Sequence, residues 1–187
     1  MSVYYPSGNC GGGAIPDYTC SPCSTYEYGR IRSIAFVKNN YSIADPSNPT
    51  QWNTAISTGN AIVIWATSGN YDSATEELVG FGDAETVNGG ITHTLVFKDP
   101  NVQVDNAQGN CDFYNAIKDS SEYTVYFRTS SRLWAAGAPV TISPKMPVAD
   151  DLKSVLTYEV TVKWQNSSLP CSSAVPDGIF DTCYVPV

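Results

Sequence analysis

The chain has 187 residues, enough for one domain with a substantial core and no need of a second. Only 15% of the residues are charged, well below the roughly 25% of an average soluble domain. The net charge is −8 and the densest basic pair is Arg30 with Arg32, which argues against tight nucleic-acid binding through phosphate contacts. With 12 Pro, 14 Gly and 12 Tyr the composition is that of a β-rich, loop-rich protein. Its low charge suits a surface covered by neighbours rather than a freely soluble monomer. No apolar run reaches the length that spans a bilayer. The opening Met1-Ser2-Val3-Tyr4-Tyr5 lacks the charged and apolar regions of a secretory signal, so none is expected.

In chain order, residues 1–28 are expected to form an extended arm. Gly11, Gly12 and Gly13 loosen it, and Pro6, Pro16 and Pro22 interrupt regular structure. Tyr4, Tyr5, Tyr18, Tyr26 and Tyr28 are too aromatic for a solvated tail, so the arm should pack on its own domain or on a neighbouring chain. Residues 29–165 are expected to form a single β-sandwich-like domain or small barrel with two short helices, and residues 166–187 an irregular C-terminal tail.

The first strand is expected at 29–38, with Ile31, Ser33, Ala35 and Val37 on one face and Arg30, Arg32, Ile34 and Phe36 on the other. Asn48 followed by Pro49 is a helix start, cap then first helical position, and the helix should end near Gly59. Residues 61–67, with the run Ile62-Val63-Ile64-Trp65, suggest a fully buried strand.

Residues 68–90 are acidic. Asp72, Glu76, Glu77, Asp83 and Glu85 occur with no intervening cation. The segment is either a solvated loop or a surface that repels polyanions or meets a basic partner. A short strand is expected at Leu78-Val79-Gly80-Phe81, and Asn88-Gly89-Gly90 signals a hairpin turn.

Ile91, His93, Leu95 and Phe97 then share a strand face, which makes His93 a core or interface histidine rather than a catalytic one. Asp99, Asn101, Gln103 and Asp105 loosely mimic a calcium loop. The pattern fails at Val104, where glycine is needed, and at Asn110, where glutamate is needed. A second helix is expected from Asn110 to Lys118, with Phe113, Ala116 and Ile117 as its buried stripe. Strands follow at 122–129 and at 138–143, the latter stopped by Pro144 and Pro147. The cleanest strand runs from Leu156 to Trp164, where Tyr158, Val160, Val162 and Trp164 alternate with Glu159, Thr161 and Lys163.

No chemistry-bearing motif stands out. With one histidine on a strand face, no G-x-S-x-G, no P-loop and no dinucleotide-binding glycine pattern, the chain is expected not to be an enzyme and to carry no cofactor. Paired acids such as Asp150 and Asp151 suit a solvated surface. The six cysteines lie mostly toward the ends. Cys20 and Cys23, with Cys10, are zinc candidates only if the termini meet, because a second close pair is missing; no metal site is expected. Cys171 with Cys183 is a possible disulfide under oxidising conditions. Free buried thiols are the reading favoured over both the zinc site and the disulfide.

The cassette Phe113-Tyr114-Asn115-Ala116-Ile117, the strand 122–129, and Pro147-Val148-Ala149-Asp150-Asp151-Leu152 leading into Tyr158-Glu159-Val160-Thr161-Val162-Lys163-Trp164 resemble virion structural proteins of tailed bacteriophages. The pattern is similar to tail-tube or tail-ring subunits of phages that infect Bacteroides-like hosts, over roughly residues 29–165. The resemblance implies a homo-oligomeric ring or tube, contacts with other virion proteins, and assembly in the host cytoplasm. It implies further that 68–90 touches the next subunit, and that acidic residues there line a conduit along which DNA passes without sequence-specific binding. No membrane partner is implied. A head-decorating or head-fibre attachment protein is the nearest variant. From another class, a secreted, disulfide-bearing β-sandwich that binds carbohydrate or protein would present Trp52 and Trp134 as a platform.

Overall fold

The computed structural model describes residues 29–65, 67–79, 87–102, 110–148, 150 and 153–181; the side chains of 74–79 and 87–89 are outside that description. Its elements are β1 (Ser33–Lys38), α1 (Pro49–Ser57), β2 (Ala61–Trp65), β3 (Ser68–Val79), β4 (Val87–Asp99), α2 (Cys111–Ile117), β5 (Tyr123–Arg128), β6 (Arg132–Ala135), β7 (Thr141–Lys145), β8 (Tyr158–Asn166) and β9 (Ser172–Ala174). The strands form two sheets, in the orders β2-β1-β5-β6-β9 and β3-β4-β8-β7. Every pairing within them is antiparallel. The sheets do not close into a barrel, so the fold is a β-sandwich with two short helices, as the alternating strand patterns imply.

β1 explains how the layers stack. Successive side chains of a strand point to opposite faces. Ile34 and Phe36 point into the core between the sheets, with Ile64, Val125 and Phe127 from their own sheet and Leu95, Phe97, Val160, Val162 and Ile142 from the other. Ala35 and Val37 point the other way, into a second core formed with Ile43, Trp52, Ala55, Ile56, Leu133, Ile179 and Phe180. The sandwich therefore carries a third layer, α1 together with the segment after β9.

α1 starts as its sequence dictates. The Asn48 side chain accepts a hydrogen bond from the Thr50 amide at 2.9 Å, and Pro49 occupies the first turn. The helix stops where Gly59 takes a left-handed φ of 69°. Trp52, fully buried, packs edge-on against Tyr126 at 5.1 Å and Phe180 at 4.9 Å between ring centroids. Its Nε1 donates to the Pro46 carbonyl at 2.9 Å.

The described stretch after residue 166 carries one three-residue strand and a segment that packs on the domain. β9 pairs with β6, and Ile179 and Phe180 are buried. The Phe180 carbonyl accepts from Ser33 Oγ at 2.8 Å and from Arg128 Nη1 at 3.0 Å, and Arg128 also pairs with Asp181.

Several local expectations need correction. β2 is an edge strand, so Ile62 and Trp65 are each 41% exposed rather than fully buried. Residues 68–79 form a strand rather than a loop, and Asn88, Gly89 and Gly90 lie inside β4 rather than in a turn. Pro144 does not stop its strand. β7 is an edge where a residue without an N–H costs no interior ladder bond, and Pro144 sits opposite Val160. In α2 the buried residues are Tyr114 and Ile117, while Ala116 is exposed. Asn110 does not cap that helix with its side chain, which donates instead to the Asn101 carbonyl at 2.9 Å. β8 starts at Tyr158, and Leu156 lies outside it. β6, a four-residue strand, gives no period-two signal long enough to find.

Phe180→Ala should lower unfolding stability by about 3–5 kcal/mol, as expected for an aromatic removed from a core. Urea denaturation followed by tryptophan fluorescence measures this. A change within about 0.5 kcal/mol, the usual range for surface positions, would mean that the segment does not complete the second core.

Candidate functional site

The longest elements are β3 and β4, and their geometry sets them apart. β4 pairs with β8 from Asp99↔Tyr158 to Ile91↔Asn166, where β8 ends. The pairing of β3 with β4 continues past that point to Leu78↔Asn88 and Val79↔Val87, with register shifts around Glu76. The far part of the hairpin is thus a two-stranded ribbon running beyond its own sheet. Gly90, with φ of 117°, sits at the departure. At the other end, a Cβ on Gly69 would lie 2.4 Å from the Val96 carbonyl oxygen, so only glycine lets β3 lie this close to β4.

Asp72, Glu76 and Glu77 of the acidic cluster fall on this hairpin. Asp72 is exposed opposite Thr94. Glu76 and Glu77 lie in β3 at the register shifts, with side chains outside the description, and Asp83 and Glu85 lie outside the described residues. The outward face of the same sheet is polar. Cross-strand neighbours there include Lys98, Glu159 and Lys145 in one row and Thr94, Lys163 and Thr141 in another. Lys145 Nζ lies 2.7 Å from Glu159 Oε1. That hydrogen bond, with the charges of Lys145 and Lys98, holds the Glu159 carboxyl below its ordinary pKa. Such a face meets water, as the polar half of the β8 alternation implies.

The inward face carries a buried aromatic stack. Tyr71 lies nearly parallel to His93 (13°), Trp164 (16°) and Phe127 (29°). Phe127 continues the stack to Trp134 at 12°. The Tyr71 hydroxyl is hydrogen-bonded to His93 Nδ1 at 2.7 Å. His93 is fully buried, and burial lowers its pKa, opposed in part by the Ser168 backbone. It is a neutral core histidine, in keeping with its place on an apolar strand face. A second buried polar pair closes the opposite end of the sandwich. Asp99 accepts from the Asn101 amide at 2.9 Å and from the Tyr114 hydroxyl at 2.7 Å. Burial, followed by the Asp99 charge, pushes the Tyr114 phenol far up. The loose calcium-like spacing at Asp99 and Asn101 therefore serves a turn, because Asn101 itself is what that carboxylate binds.

Among the described residues no group of three or more His, Cys, Asp or Glu is placed to hold a metal. Cys10, Cys20, Cys23 and Cys183 lie outside the described residues, and Cys171 is exposed. Trp52 is core and Trp134 half-buried in the stack, so the pair forms no exposed platform.

Besides Leu169, the described surface exposes large apolar side chains in two places. One is the β2 edge, with Ile62 and Trp65, beside a groove of about 330 Å³ whose lining includes Phe36, Ile56, Val63, Phe113 and Tyr123. The other is the connection between β7 and β8, with Met146, Val148 and Val155. Sequence reasoning missed the first because an apolar run looks the same at the centre of a sheet as at its edge.

No protein-family model matches the chain, and no curated protein does. A solved structure, the cryo-EM structure of the anti-feeding prophage (AFP) baseplate, 6-fold symmetrised, contains a chain that aligns with 86% of this one and 99% of its own length. The identity is 11% and the TM-score 0.35. At that score the likeness carries no argument about this chain.

A histidine held neutral by burial binds protons more weakly folded than unfolded, so its stabilising contribution is present above the unfolded value of about 6.5 and is lost as pH falls below it. Between about pH 6.5 and 5, above the range where carboxylates titrate, the urea midpoint of the wild type should fall. His93→Gln should be less stable at neutral pH and flatter across that window. Parallel slopes for the two proteins would place the proton uptake elsewhere.

Proposed function

We propose that the protein is a structural subunit of a phage particle, non-catalytic, assembling with copies of itself and with other virion proteins. Its preferred place is a ring- or tube-forming tail component that forms part of the DNA conduit. A head-decorating position is the nearest alternative. The observation that carries the reading is the β3–β4 ribbon outrunning its sheet. Among the described residues no third strand or helix covers this part of the hairpin, and two strands alone are marginal in water, which supports contacts with a neighbouring molecule. The low charge of the chain supports extensive covered surface in the same way. The concentration of acids on the hairpin agrees with a surface past which DNA slides, since like charge prevents adhesion. The resemblance of the 113–117 cassette and the β7–β8 region to tail subunits supports the tail position.

Mass photometry and negative-stain microscopy of the purified full chain test this. Closed rings or stacked tubes are expected. A stable monomer at tens of micromolar that binds glycans would replace the reading with that of a secreted binding module. Glu76→Lys combined with Glu77→Lys should leave far-UV circular dichroism unchanged and alter ring or tube formation. Unaltered assembly would remove the ribbon from the contacts that build the particle.

A further inference from the structure

The two sheets present four edges, and three of them are guarded. β7 contains Pro144 and Lys145, which block continuation of a ladder. β9 is only three residues long. β3 carries Asp72 and two register shifts. β2 has none of these devices. Its sequence, Ala61 to Trp65, contains no charge and no proline, and it pairs with β1 in unbroken register. Among the described residues no strand pairs with its other side. It presents Ile62 on one face and Trp65 on the other, each 41% exposed, and the apolar groove walled by Phe113 and Tyr123 runs beside it. An edge left this bare is an aggregation hazard unless something pairs with it.

Charge indicates what pairs with it. From Asn39 to Tyr71, the stretch containing both α1 and β2, Asp45 is the sole charged residue. The whole chain carries −8, so two copies repel at long range. Lys38 lines the groove beside β2, so the α1–β2 flank carries little net charge and is where two copies approach with the least penalty. A basic partner would instead be drawn to the acidic hairpin.

We propose that the free edge of β2 is the site where a second copy of this chain adds a strand. Side chains of the incoming strand fill the groove beside Ile62 and Phe113 and cover Trp65. This rests on the self-assembly proposed above and adds a second contact surface to the ribbon.

The test is hydrogen exchange on the full-length protein across a concentration series, with sedimentation velocity on the same samples. The amides of Ala61–Trp65 should exchange slowly in the associated state and speed up on dilution, in step with dissociation. Ile62→Lys combined with Trp65→Lys puts charges where an incoming strand would bury them. It should weaken self-association on the order of 100-fold or more, with circular dichroism and the urea midpoint confirming that the variant folds. Wild-type association with β2 amides that stay exposed overturns the proposal and leaves self-assembly standing. Association of the double variant like that of wild type does the same. Protection that persists unchanged in dilute monomer means the chain covers its own edge, and also overturns it. A wild type that never associates overturns both this proposal and the function it rests on.

Discussion

β1 must be buried on both faces, and the rest of the molecule is arranged to meet that demand. Ser33 through Val37 are inaccessible to water. Facing the second sheet, Phe36 lies 6.2 Å from Phe97, centroid to centroid. Facing the helix, Ala35 and Val37 leave only enough height for Trp52 to sit above the sheet. One face calls for β4 and β8, the other for α1 and the segment around Phe180. A two-layer sandwich would leave Ala35, Val37 and Leu133 against solvent, so the third layer follows from the strand itself. The backbone of β1 is satisfied on both sides by β2 and β5, which fixes it in the sheet interior and moves the exposed edge to β2.

Elements whose pattern is local were legible in the sequence. α1 was readable because Asn48 and Pro49 act within one turn. β8 was readable because its alternation of apolar and polar residues records that one face is dry and the other wet. Alternation assigns Ser33 to Val37 to their faces but not Ile31, which lies before β1 and packs with Ile34 and Phe36, and nothing in Ala35 or Val37 says that the outward side is covered as well. That information lies in Trp52 and Phe180, far away in sequence. The position of β2 was illegible for a related reason. Ile62 to Trp65 are apolar whether a strand lies beside them or not, and only the strand order of the whole sheet distinguishes centre from edge. Gly69 gave no signal because its role is a close approach to Val96, set by tertiary contact and not by a turn.

The candidate surfaces divide the same way. His93 could be placed in the core from the period of its strand. Its stacking with Tyr71 and Trp164 could not, because these partners come from the two strands on either side of its own. The acidic residues were visible as a cluster, and the structure gives the described part of that cluster a definite carrier, a ribbon in place of a loop. The two buried polar pairs, His93 with Tyr71 and Asp99 with Tyr114, sit at opposite ends of the inter-sheet core. Each joins two consecutive elements through a hydrogen bond that hydrocarbon packing alone would not orient.

The hydrogen bond from Ser33 to the Phe180 carbonyl spans 147 residues, and it lies at the heart of the second core. Contacts of such long sequence separation slow folding, because the intervening chain must be ordered before they can form. On the ribosome the consequence is one of timing. The N-terminal end of a chain emerges first, so the surface of β1 that Trp52 and Phe180 cover stays open until the last of these residues is made. The α1–β2 flank rests on that same core, so it can become a firm platform only after Phe180 docks. Completion of the fold thereby acts as a clock, delaying the ripening of the flank until synthesis has passed Asp181.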